Sequence, residues 1–165
     1  MPEQVVIDGL EFARTGKSIS GALNVGSLKR LQDSLASSDG VIDYSVRGGQ
    51  NPKGRALLHL TVKGALNLRC QRCLGPLAWS VDISTDLLLL QDESEFADLV
   101  DVEDDSVDGI LAAPKMDLAA MVEDEIILRV PFAPRHPEGA CEAGDSDDAR
   151  PGKDSPFAVL ANLTK

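Results

Sequence analysis

Three cysteines and one histidine, Cys70, Cys73, His136 and Cys141, are the residues whose types and spacing best suit chemistry. In Cys70-Gln71-Arg72-Cys73 two sulfurs are placed so that a tight turn can aim both at one zinc ion. A closed structural zinc site needs four donors. His136 and Cys141, in an H-x4-C spacing, are the plausible second pair, because His59 falls on the outward parity of a strand. An Asp or Glu could replace one of the four. Two other readings stay open: thiols that are structural and metal-free, or a redox pair of the kind used by thiol oxidoreductases. Thioredoxin-type pairs draw thiolate stability from a helix N-terminus. Here the pair opens into a strand, leaving Arg69 and Arg72 to lower a thiol pKa.

Other catalytic patterns are missing: the sequence holds no P-loop, no GxGxxG and no GxSxG. Glu123, Asp124 and Glu125 are consecutive, so on a helix they splay rather than converge, and a solvated face is expected. They also make a candidate docking face for a basic partner, with Phe157 as an apolar contact. No small-molecule substrate is evident. Asn162-Leu163-Thr164 matches a glycosylation sequon, read as coincidence in the absence of a secretion signal.

A basic ribbon offers a different chemistry. Between Tyr44 and Val81 lie Arg47, Lys53, Arg55, Lys63, Arg69 and Arg72, with no acid. Cations along one strand face and its turns suit phosphates of an RNA backbone, which gives affinity but little sequence specificity. Tyr44 and Trp79 sit on apolar parities, so a stacking platform is not expected of them.

These side chains must be positioned by strands. Ile42, Tyr44 and Val46 alternate, and after Gly48–Gly54 the run Leu58, Leu60, Val62, Leu66, Leu68 keeps one parity. After the cysteine turn, Leu77, Trp79, Val81, Ile83, Leu87 and Leu89 repeat the pattern. Short turns between alternating runs predict an antiparallel meander with one wet face. Gly64 lies on the apolar parity and is expected to mark a bulge or bend. Ile19 to Val25 predicts a short strand, and Ser27 caps an expected helix carrying Leu28, Leu31 and Leu35. Asp117 caps a second, with Leu118, Met121, Val122 and Ile126 on one stripe, stopped at Pro131. Pro156 to Leu163 is expected to form a short docking helix. The fold class is therefore α+β, an antiparallel sheet packed against two or three helices, in a single domain over residues 1–165.

The chain of 165 residues carries 16 basic and 27 acidic side chains, a net charge of −11. Gln91 to Asp108 holds nine acids and no base, and Glu138 to Asp154 adds a balance of −4. Without those two segments the remainder is +2. Acidic runs of this kind repel themselves, so residues 91–114 and 138–155 are expected to be mobile, acidic and without fixed structure. No apolar run reaches membrane-span length and no signal-type leader opens the chain, so a cytoplasmic protein with no membrane partner is expected.

Three segments carry a family resemblance: LNLRCQRCLGPL at Leu66–Leu77, DLAAMVEDEIILRVPFAPRH at Asp117–His136, and PFAVLANL at Pro156–Leu163. In them the chain resembles the YceD-like family of large ribosomal RNA subunit accumulation proteins. The resemblance implies a non-enzymatic role in accumulation or maturation of large-subunit rRNA, exercised on the rRNA or a precursor particle. It brings no catalytic residues. Some members carry a cysteine-rich segment where this chain has only His136 and Cys141. A rival expectation is an acidic adaptor that holds a basic ribosomal protein before assembly.

Overall fold

The computed structural model describes residues 5–100 and 107–141. Eleven elements follow in chain order: β1 (Val6–Ile7), α1 (Gly9–Thr15), β2 (Ser18–Asn24), β3 (Leu35–Ser37), β4 (Val41–Gln50), β5 (Ala56–Arg69), β6 (Pro76–Leu90), α2 (Glu95–Val100), β7 (Val107–Leu111), β8 (Met116–Asp117) and α3 (Leu118–Arg129). The main sheet runs β2-β4-β5-β6-β7, with β3 beside the far end of β5, and β1 pairs separately with β8. The expected meander is there, antiparallel from β2 through β6. The α+β class is as the alternation implied.

The sheet buries one parity of its strands over most of their length; at the end of β6 both parities are buried, with Leu88 and Leu90 on the other one. Ile42, Tyr44 and Val46 on β4, Leu58, Leu60, Val62, Leu66 and Leu68 on β5, and Val81, Ile83, Leu87 and Leu89 on β6 join one core. Phe12 and Ala13 of α1 and Leu118, Met121, Val122 and Ile126 of α3 belong to the same core. Both α1 and α3 start at an aspartate: Asp8 accepts from the Glu11 amide at 3.0 Å and Asp117 from the Ala119 amide at 2.9 Å. These bonds satisfy amides that have no partner within the helix.

Several expectations need correction. Ser27 does not cap an α-helix; Val25–Ser27 and Lys29–Ser34 are 3₁₀ turns, and Leu35 begins β3. Leu28, Leu31 and Leu35 are nevertheless buried. A three-residue repeat matches a 3₁₀ helix as well as an α-helix, and here outside partners decide. The Arg30 amide donates to Glu123 Oε1 at 2.7 Å, and Gln32 Nε2 donates to the Val25 and Leu28 carbonyls.

Gly64 is not a bulge, since pairing runs through it without a break to Ile42 on one side and Val81 on the other. It allows close approach: a Cβ there would lie 2.6 Å from Ile42 Cδ1 and 2.9 Å from the Val41 carbonyl oxygen. Within the segment 91–114, the described residues 91–100 and 107–114 are not without structure either. They contain α2 and β7, and β7 joins β6 in parallel, from Asp86↔Val107 to Leu90↔Leu111. β7 is a single short strand that follows eight acids and holds a ninth, Asp108, and so left little pattern to read. Of the second acidic segment only residues 138–141 are described; Phe157 and the Pro156–Leu163 segment lie outside the described residues.

The acids of α3 are not a solvated face. Glu123 is 8% exposed and Glu125 5%. Arg30 answers Glu123 and Asp124 together, with Nε 3.1 Å from Glu123 Oε2 and Nη1 2.6 Å from Asp124 Oδ1. Those bonds, to Asp124 first and then Glu123, raise the guanidinium pKa above its ordinary value. Glu123 thus holds both a backbone amide and a side chain of the 3₁₀ turn. Glu123→Gln is expected to lower unfolding free energy by about 1–2 kcal/mol, since a charge-assisted bond becomes neutral while half-exposed Arg30 keeps some water. Urea titration of the variant measures this; a loss as small as that of a typical surface substitution would mean the tie contributes little.

Candidate metal centre

The β5–β6 connection is a tight turn held by its own backbone. The Cys70 amide donates to the Gly75 carbonyl at 2.9 Å, and the Leu74 amide to the Cys70 carbonyl at 2.9 Å. Leu74 adopts φ 61°, a conformation that disfavours a side chain, and stays largely exposed at the tip. Inside the turn the Arg72 amide points at Cys70 Sγ, 3.4 Å away. The segment after α3 is fastened alongside, with the Gln71 amide donating to the Pro134 carbonyl at 2.8 Å. A further turn, Ala140 amide to Pro137 carbonyl at 3.1 Å with Gly139 at φ 79°, reverses the chain and delivers Cys141.

This brings together the four residues singled out from the sequence. Cys70 Sγ, Cys73 Sγ, Cys141 Sγ and a His136 nitrogen all lie within 4.8 Å of one another. The separations are 3.9 Å for Cys70–Cys141, 3.4 Å for Cys73–His136 Nδ1 and 3.7 Å for Cys141–His136 Nδ1. Tetrahedral zinc, with bonds of about 2.3 Å to sulfur and about 2.1 Å to nitrogen, sets its donors roughly 3.6–3.8 Å apart. The three cysteines are free, and 3.9 Å is far from a disulfide bond. His136 Nε2 lies 2.9 Å from the Pro76 carbonyl oxygen. A carbonyl only accepts, so Nε2 carries the proton and Nδ1 turns its lone pair toward the sulfurs. A backbone acceptor behind the ring orients metal-binding histidines in the same way. The donors therefore fit a metal ion.

The sulfurs are electrostatically unequal. Cys70 is pulled down to about 5, chiefly by the Cys73 amide, with the His136 and Arg72 amides helping against its burial. Cys141 is pushed up to about 11, first by burial and then by the neighbouring sulfurs. The turn's amides thus do what a helix dipole does in redox pairs. Cys70, however, has no exposed surface, whereas reactive cysteines are partly exposed. The low thiol pKa and the closed position together suit a ligand better than a nucleophile.

The basic ribbon does not stay acid-free once folded. Strand register places Asp43 on β4 and Asp82 on β6 at either side of Lys63 on β5, and Lys63 Nζ lies 3.9 Å from Asp82 Oδ1. Asp43 and Asp82 lie just outside the stretch Tyr44–Val81, and only pairing folds them back. The remaining cations divide between two ends. Arg47, Lys53 and Arg55 lie near the β4–β5 turn, and Arg69 and Arg72 near the cysteine turn. β5 has 14 residues, so those ends are about 40 Å apart at the rise of a strand. The segment anchored there through Pro134 carries two exposed residues not singled out from the sequence, Arg135 and, two residues before Pro134, a fully exposed Phe132. Phe132 between two prolines, off any helical stripe, was the legible signal.

On the outer face His59 Nδ1 meets Asp86, and its Nε2 lies 3.5 Å from Ser84 Oγ. The order resembles a nucleophilic triad, but both His59 and Asp86 are open to water. The neighbouring strands are paired throughout, which commits the amides that an oxyanion would need. The trio is a polar cross-strand cluster.

An α+β domain in which three cysteines and a histidine meet between the β5–β6 hairpin and the segment after α3 is the class of protein these residues build. The model of the family described as large ribosomal RNA subunit accumulation protein YceD matches residues 58–164. The chain belongs to that family. Among its relatives, the large ribosomal RNA subunit accumulation protein YceD of Haemophilus influenzae is 25% identical over 168 residues, covering 96% of this chain and 94% of the relative. No solved structure is significantly similar. Among the described residues no helix is long and apolar enough to cross a membrane.

Proposed function

We propose that this chain is a non-enzymatic, cytoplasmic ribosome-biogenesis factor that supports accumulation or maturation of large-subunit rRNA. It does so by contacting the rRNA or a precursor particle with the end of the sheet that carries the cysteine turn. Zinc held by Cys70, Cys73, His136 and Cys141 serves there as a structural ion that locks the turn to the segment after α3. The observation that carries the reading is the convergence of the four donors within 4.8 Å. It joins the turn that carries Arg72, with Arg69 just before it, to the segment that carries Arg135 and, four residues before His136, Phe132. Cations that neutralise phosphates next to an exposed aromatic ring suit an unpaired stretch of RNA. Lys63, flanked by two aspartates, contributes little, and the family's descriptive name agrees with an RNA-linked role.

Sedimentation of the protein with precursor particles tests this. Arg69→Glu combined with Arg72→Glu is expected to reduce association at least tenfold and to flatten its log–log salt slope by about two units. Lys63→Glu is expected to leave both unchanged. Full association of the double variant would remove the cysteine end as the contact surface.

A further inference from the structure

Glu125 is the carboxylate of α3 that the fold leaves unanswered. Its Oε2 is buried without a hydrogen-bond partner among the described residues. Arg30 serves Glu123 and Asp124, while Arg129 acts on Glu125 only at longer range. Burial first, then the charges of Asp108 and Asp124, hold the Glu125 carboxyl above its ordinary pKa.

The side chain faces a cavity. A pocket of about 200 Å³ lies between α3 and the β6–β7 edge, walled by Leu87, Ile110, Leu111, Met116 and Met121, with Asp124 and Glu125 supplying its polar lining. Apolar walls with a carboxylate describe the complement of an alkyl stem that ends in a cation. Lysine and arginine have that shape: their methylenes pack on apolar surface while the charged head seeks an acceptor. A hard metal ion would need several oxygen donors, and thioether and aliphatic walls offer none. The surroundings favour a basic chain. Asp108 on β7 acts on Glu125 and, with Asp124, makes the field around the pocket negative. Such a field raises the encounter rate of a positively charged partner.

We propose that this pocket receives a lysine or arginine side chain of a basic polypeptide partner, with Glu125 as its buried acceptor. The site is separate from the cysteine end, and failure of RNA contact through Arg69 and Arg72 would leave it untouched. Of the acids on α3, Glu125 is the one free to do this, since Glu123 and Asp124 are engaged within the fold.

The probe is n-butylammonium, with neutral n-pentanol as its control, read on the Met116 and Met121 methyl resonances of the full-length chain. Saturable shifts at millimolar n-butylammonium are expected, at least tenfold weaker with n-pentanol and at least tenfold weaker in Glu125→Gln. That variant should fold soundly, because it removes a buried charge. Its stability gain should grow as pH rises through the raised folded-state pKa, where the wild-type carboxyl ionises against its burial. An oligolysine decapeptide should move the same methyl resonances and compete with n-butylammonium. Equal response to both probes, or no saturation, would overturn the proposal. Binding that improves in Arg150→Ala or Lys153→Ala would assign the pocket to the chain's own tail and overturn it too.

Discussion

Stripping zinc from the Cys70, Cys73, His136 and Cys141 site is expected to cost about 4 kcal/mol of unfolding free energy. That figure applies where free zinc stood a thousandfold above its dissociation constant, because an ion bound only by the folded state stabilises it through mass action. The domain should not collapse as a small zinc finger does. Its core, from Ile42 on β4 to Ile126 on α3, is large and draws on β4, β5, β6, α1 and α3, so it does not depend on the cysteine turn alone. The loss should instead concentrate on residues 134–141, whose described ties to the turn are the Gln71–Pro134 bond, the His136–Pro76 bond and the four donors. Cys70→Ser should reproduce the effect most fully, since Cys70 has no exposed surface and accepts the Arg72 amide. Cys141→Ser, at a half-buried position, should cost less. Zinc content, urea unfolding with and without chelator, and amide exchange of residues 134–141 together check this. One zinc per chain and local deprotection are expected; protein free of zinc, with unchanged exchange after chelation, would return the cluster to metal-free thiols.

The second large effect is expected at Gly48. A Cβ there would lie 2.3 Å from the Phe12 carbonyl oxygen and 2.8 Å from the Ala13 Cα. Both obstacles are backbone, so no rotamer change relieves them, and the Gly48 amide is also bonded to the Lys17 carbonyl at 2.8 Å. Gly48→Ala must push α1 away from β4, uncovering Phe12 and Ala13. Overpacking costs roughly 1–3 kcal/mol, and the upper end, about 3 kcal/mol, is expected here. Gly49→Ala is the internal control, because nothing lies within 4 Å of its Cβ position. It should change stability by no more than about 0.5 kcal/mol. Equal unfolding midpoints for the two variants would show that α1 does not seat against β4 as described.

What the sequence revealed and what it concealed follow from the range of the interactions. β4, β5 and β6 were legible because each buries one parity over most of its length, and α3 because Asp117 precedes a clear apolar stripe. The cysteine–histidine quartet was legible from residue type, although Cys70 and Cys141 lie 71 positions apart. Register was not legible, and it changed the chemistry most. Lys63 belonged to an acid-free run until pairing set Asp43 and Asp82 beside it. The burial of Glu123 was equally hidden, because its partner Arg30 is 93 residues away and lies on a turn whose leucines also suit an α-helix. The short α1, with few apolar residues, gave too little periodicity to stand out.

A metal ion held between Cys70 and Cys141 would enclose β6, α2, β7, β8 and α3 within one ring of chain. A backbone cut inside that ring, for instance at the exposed turn Gln91–Ser94, would not by itself separate the two pieces. With the metal bound, each fragment would keep two of the four donors, and the shared sheet and core would hold the rest. A nicked chain would then remain one particle under native conditions and divide into two bands only once denatured and demetallated. The exposed turn that opens the most acidic stretch of the protein would therefore be a place where scission leaves the two pieces together.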